Sequence, residues 1–225
     1  VRPVQFVTWP IHWSNILNRC YAVNPQGEIN MKYGLFVLLL IITGCSASAP
    51  SKYYVLSPIK DTATASFPGV DKIQVIGVGP IKFPKYLSRS QLIRFSGNNE
   101  VVVEEFNRWA EPFDQNFTRV LRTNLTRLLT STYVIDYPWK RAMNVQYQVA
   151  LDVHQFEADP DGSVTMKVHW AIFNLKKGKK LVVARKFSYG KKINGIDYAK
   201  IVAEQSRALE VLSREIAIEM KKLLD

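Results

Sequence analysis

Val145-Gln146-Tyr147-Gln148-Val149-Ala150-Leu151-Asp152-Val153-His154 alternates two sets of side chains without a break. Successive side chains of a strand point to opposite faces, so Val145, Tyr147, Val149, Leu151 and Val153 share one side. Gln146, Gln148, Ala150, Asp152 and His154 share the other. That is a strand with one buried face and one open to water. The pattern repeats downstream, where Val164, Met166, Val168, Trp170 and Ile172 alternate with Thr165, Lys167 and His169. Between the two lies Asp159-Pro160-Asp161-Gly162, a turn by composition. Lys176-Lys177-Gly178-Lys179-Lys180 then turns the chain into a third strand over residues 181–189. An antiparallel meander is the expected result.

The flanking segments supply the second layer. On the N-terminal side, Pro112 suits a first helical position, with Glu111 and Asp114 at the positive end of the dipole. Phe113, Phe117, Val120, Leu121, Leu125, Leu128 and Leu129 recur at helical spacing behind it. On the C-terminal side, Asp197 caps a helix whose stripe is Tyr198, Ile201, Val202, Leu209, Leu212, Ile216, Met220 and Leu223. Upstream, residues 52–56 and 72–78 read as strands, the latter apolar on both faces and therefore central. Residues 83–87 read as a turn, and 92–95 with 100–106 as a hairpin around Gly97-Asn98-Asn99. Residues 61–69 read as a loop, and Asp136-Tyr137-Pro138-Trp139 as a loop broken by proline. The expected fold is α+β, a mostly antiparallel sheet with two long helices packed on one face.

The first 50 residues bear on location. Met31-Lys32-Tyr33 is a short basic start, and residues 34–42 are an apolar run closed by Ile42-Thr43-Gly44-Cys45. A bilayer span needs about 20 apolar residues; this run is half that and has the order of a signal peptide. Its last four residues resemble a bacterial lipobox. In that motif the chain is cut before the cysteine, which then carries diacylglycerol and an N-acyl chain. Expected boundaries are therefore an upstream extension over residues 1–30 from a mis-called start, a signal peptide over 31–44, a lipidated tether over 45–51, and a periplasmic domain over 52–225. Cys45 is the expected lipidation site. Ser46 after it is the sorting position, and by resemblance to enterobacterial lipoproteins it favours the outer membrane.

Composition narrows the chemistry. The 225 residues carry 30 Lys+Arg against 19 Asp+Glu, a formal charge of +11. Residues 1–44 hold three basic residues and one acidic, so removing them leaves 27 against 18, or +9 over 181 residues. A lipidated envelope protein does not meet nucleic acid; anionic headgroups or acidic protein surfaces are its available counterparts. Two cysteines, Cys20 and Cys45, exclude a cysteine-rich zinc or disulfide scaffold. His154 and His169 fall on neighbouring strands, but no cysteine or HxxxH spacing accompanies them, and no metal is expected. Gly77-Val78-Gly79 is followed by proline where a phosphate-binding helix should open, so it reads as a strand end. Ser88, Ser90 and Ser96 lack a nucleophile elbow. Asn116-Phe117-Thr118 and Asn124-Leu125-Thr126 match the glycosylation pattern but lie inside a helix. The lysines of residues 176–180 are a solvated tip, with anionic lipid as the sharper reading. Neither a catalytic residue nor a cofactor, other than the lipid on Cys45, is expected.

A more specific signal is an ordered set of short motifs: Tyr54-Val55-Leu56, Pro84-Lys85-Tyr86-Leu87, Arg108-Trp109-Ala110-Glu111-Pro112 and Tyr137-Pro138-Trp139. Following a lipobox, this set resembles the paraquat-inducible lipoprotein C family, over roughly residues 50–225. The resemblance implies an α+β periplasmic domain held at the periplasmic face of the outer membrane. Its implied work is non-enzymatic, docking a mammalian-cell-entry (MCE) tunnel protein that moves lipids between membranes. Phospholipid contact and homo-oligomerisation stay open. So do two other roles, a lipoprotein that only braces the envelope and a lipid-modifying enzyme, the latter disfavoured because no nucleophile–base pair is visible. Trp139, Tyr137 and Trp109 are the expected partner-binding residues, because large amphipathic aromatics concentrate interface energy.

Overall fold

The computed structural model describes residues 49–60, 73–97, 99–159, 162–193 and 195–224. The apolar run, the lipobox with Cys45 and Ser46, and the loop read over residues 61–69 lie outside them. Residues 49–225 form one compact unit.

Eight strands among the described residues join one sheet: β1 (Lys52–Tyr54), β2 (Gln74–Lys82), β3 (Gln91–Phe95), β4 (Val101–Trp109), β5 (Thr132–Asp136), β6 (Tyr147–Ala158), β7 (Ser163–Asn174) and β8 (Lys180–Lys192). Two helices, α1 (Phe113–Leu128) and α2 (Tyr198–Leu224), pack against one face. The meander forms as its alternation predicts, with β6, β7 and β8 antiparallel in that order. On the other side of β6, its first half pairs with β2, and its last residue, Ala158, meets Arg94 of β3. β2 is central, between β6 and β5.

The sheet is more mixed than its alternation suggests. β2 runs parallel to both β5 and β6, and β1 parallel to β4. Alternation reports which face a residue takes, not the direction of the neighbouring strand. The parallel β2–β5 pair arises because the β3–β4 hairpin and α1 intervene, a crossover long enough to return the chain in the same direction.

A bulge on β6 sets the geometry that matters later. Val153 pairs with Val168 but Gln155 pairs with Lys167, leaving His154 as the extra residue. Such an insertion reverses the facing of everything after it. Val149, Leu151 and Val153 point to the helices before the bulge, and Phe156 and Ala158 do so after it. Glu157 thereby turns to the side away from the helices.

Between the layers, Phe113, Phe117 and Phe156 form a mutually contacting aromatic cluster, with Phe83 and Trp109 added at its edge. Trp170 is buried while its indole N–H donates to Glu215 of α2 at 3.2 Å. Pro112 is the residue before α1 and not its first turn; its ψ of 132° is extended. Asp197 caps α2 as its sequence predicts, accepting from the Ala199 N–H at 3.0 Å and the Lys200 N–H at 3.4 Å.

Candidate functional site

The face of the sheet opposite α1 and α2, helix-free among the described α-helices, is where the exposed sequence signals converge. Residue 77 of β2 is glycine, and the Trp139 indole lies directly over it. A Cβ built at Gly77 would sit 2.4 Å from a Trp139 ring carbon, so only glycine lets the indole lie flat there. Gly79, with φ of +116°, takes a backbone conformation that other residues resist, and a Cβ on it would meet the Tyr137 Cβ at 2.7 Å. Tyr137 and Trp139 meet edge to face, ring centroids 5.3 Å apart. Tyr137 is 53% exposed, and Trp139 is half-buried. The loop is fixed from behind: the Tyr137 N–H donates to the Val78 carbonyl at 2.8 Å. Beside it, burial raises the Asp136 carboxyl, an effect opposed by the Arg122 guanidinium 2.8 Å away.

Next to this loop a trough crosses the meander. Ala150 of β6 stands opposite Ala171 of β7, which stands opposite Ala184 of β8. Three methyl groups in one cross-strand row leave a depression of about 470 Å³, bounded by Pro80 and Phe173. The adjacent row is Asp152, His169 and Lys186, and with Lys82, which pairs with Asp152, the rim carries two lysines against one aspartate. His154 and His169 come together as neighbouring strands imply, ring centroids 4.4 Å apart.

Of the three aromatic residues expected to meet a partner, the structure brings Tyr137 and Trp139 together on this face. Trp109 is a correction: it is 7% exposed and packs on Phe113 at 5.4 Å. Its place at the end of β4, just before α1, sends the indole between the layers. Sequence reasoning missed the alanine row. The available signal was small residues at outward positions of two successive strands, Ala150 and Ala171, where polar side chains are the norm. Also missed was the burial of Asn116 and Asn124, which occupy the apolar stripe of α1.

Comparison with known proteins settles the family. Residues 54–217 match the model of the ABC-type transport auxiliary lipoprotein component. The chain belongs to this family. It is similar to the intermembrane transport lipoprotein PqiC of Escherichia coli, 24% identical over 141 residues, which are 63% of this chain and 73% of that protein. The PqiC of Shigella flexneri matches to the same extent. Among solved structures, an uncharacterized protein superposes with a TM-score of 0.62 at 21% identity, over 76% of this chain and 99% of the other. A DUF330 protein of Xanthomonas campestris gives 0.59 at 17%, over 74% and 93%. These two likenesses concern the fold, and they show that the two-helix, one-sheet arrangement recurs in other chains. Among the described residues, no helix is long and apolar enough to cross a membrane.

Proposed function

We propose that this chain is a periplasmic lipoprotein anchored to the outer membrane through lipid on Cys45, and a non-enzymatic part of an intermembrane lipid transport system. Its task is to dock an MCE-domain tunnel protein at that membrane. The observation that carries the reading is the family match over residues 54–217, together with the lipobox that precedes it. The likeness to PqiC, an intermembrane transport lipoprotein, supports the same system.

The docking surface we assign is the helix-free face, with Tyr137 and Trp139 as the aromatic anchors and the alanine trough as the recess beside them. The occupant is an apolar side chain of the tunnel protein, flanked by acidic residues that complement Lys82 and Lys186. Substituting Tyr137→Ala removes an exposed ring without opening the core, whereas Trp139→Ala also uncovers Gly77. Pull-down of the MCE-domain partner from detergent-solubilised membranes tests the assignment. Capture should fall at least about tenfold with Tyr137→Ala, a loss typical of an interface anchor, while thermal melting stays unchanged. Undiminished capture by both folded variants would remove this face from the interface.

A further inference from the structure

A second cleft lies on the helix-free face, at the other end of β6 from the Tyr137 loop, with a volume of about 850 Å³. Its floor is one cross-strand row in which Glu157 of β6 faces Thr165 of β7, and Thr165 faces Gly190 of β8. A Cβ at Gly190 would meet nothing within 4 Å, so the row is open at its β8 end. Tyr86 and Phe95, edge to face at 6.1 Å, make one wall. Lys192, paired with Ser163 on the same face as Thr165, stands on the opposite side.

Glu157 is wholly buried, with 0% exposure. Its Oε2 accepts from the Phe156 N–H at 2.8 Å and from the Tyr86 O–H at 3.2 Å. Its Oε1 is buried and accepts from no donor among the described residues. An orphaned acceptor of this kind is costly to bury, the more so when it carries charge. The nearest acid, Asp159, is already engaged by Thr165 and by Gln155 at 3.4 Å. Glu157, a residue of the cleft lining, thus holds a buried carboxylate oxygen without a donor among the described residues.

The surrounding charge selects what completes it. A simple cation meets Lys192 on the way in, and a simple anion meets Glu157 and Asp159 on the floor. A molecule with both signs satisfies both. Strand spacing puts the α-carbons of Glu157 and Lys192 about 12 Å apart, two strands across and one row along.

We propose that this cleft binds a small zwitterion, with its primary ammonium on Glu157 Oε1 and its anionic group at Lys192. The aromatic wall contributes a face for the ammonium end. Burial lifts the Glu157 carboxyl to about 7, an effect that the Phe156 and Tyr86 donors and Gln155 oppose and Asp159 reinforces. His154, Thr165, Lys191 and Lys192 complete the groups around it. A bound ammonium requires the ionised form, so binding tightens as pH rises through 7.

Phosphoethanolamine is the probe, titrated calorimetrically into the full-length protein in detergent. Saturable binding is expected, with ethanolamine and inorganic phosphate each at least about tenfold weaker. Glu157→Gln keeps the size of the side chain and should weaken binding by at least about tenfold. Gly190→Leu plugs the cleft without touching Glu157 and should abolish binding; it carries the test if Glu157→Gln does not fold. Vesicles containing phosphatidylethanolamine separate the two sources. If the free probe competes with them for wild type but not for Gly190→Leu, the zwitterion is a lipid headgroup; if vesicles do not bind while the free probe does, it is a soluble molecule. No saturable binding at millimolar probe, equal binding by wild type and both variants, or ethanolamine binding as tightly as phosphoethanolamine would each overturn the proposal.

Discussion

Single atoms decide two properties of this chain. At Cys45, a thioether-linked diacylglycerol and an N-acyl chain would bury many methylenes at about 0.8 kcal/mol each, enough together to hold a domain of this size at a bilayer. Cys45→Ser is therefore expected to release the protein into the soluble periplasmic fraction and to abolish labelling by palmitate; membrane-bound, labelled Cys45→Ser protein would refute the anchor. At Glu157, the carboxyl stands at about 7 in the fold against an ordinary 4.5, chiefly because burial penalises its charge. Below pH 4.5 it is protonated in both folded and unfolded chains and adds no pH dependence. As pH rises from 4.5 to 7 the unfolded chain ionises while the folded one holds its proton, so stability falls, then levels off above 7. The loss is on the order of 3 kcal/mol relative to Glu157→Gln, which should lack this slope. Urea melts of both proteins between pH 4 and 8 measure it, and parallel pH profiles would contradict it. The place of Glu157 was not legible in the sequence, because alternation alone puts residue 157 on the core side and the bulge at His154 turns it to the opposite face.

At the scale of elements, α1 illustrates what periodicity reads and what it passes over. Its apolar stripe was legible from Phe113 to Leu125, since 3.6-residue spacing survives whatever the helix packs against. Two asparagines in that stripe were not read as structural, although both are wholly buried. Asn124 accepts from the Ile59 N–H at 2.9 Å and donates to Ser213 of α2 at 3.0 Å. Asn116 accepts from the Leu56 N–H at 3.3 Å. Together they dock the segment after β1 along α1, which a purely apolar stripe could not do because that segment's N–H groups have no strand partner there. Their burial also removes both sites from any glycosylating enzyme. Asn124→Ala leaves the Ile59 N–H and the Ser213 hydroxyl without this partner and should cost about 2–4 kcal/mol, read as a lowered midpoint in urea. A change below about 0.5 kcal/mol would mean that water replaces the side chain. Strand direction was the other unread property: β2 was legible as central from its two apolar faces, but its parallel neighbours depend on crossovers that no local pattern encodes.

At the scale of the molecule, the two faces of the sheet divide the labour. One is filled by α1 and α2 and closes the core. The other keeps an aromatic anchor, a recess floored by three alanines and a cationic rim, and the sequence motifs pointed to its aromatic part through Tyr137-Pro138-Trp139. The recess was not legible, because Ala150, Ala171 and Ala184 are brought into line only by the register of three strands. The central claim is that the helix-free face meets the tunnel protein. Site-specific photocrosslinking in living cells tests it most directly, with the reactive group placed at Tyr137 and, as the opposing control, at Ile218, which is 57% exposed on α2. The account predicts an adduct with an MCE-domain protein from position 137 and none from position 218. An adduct from 218 with none from 137 would contradict it.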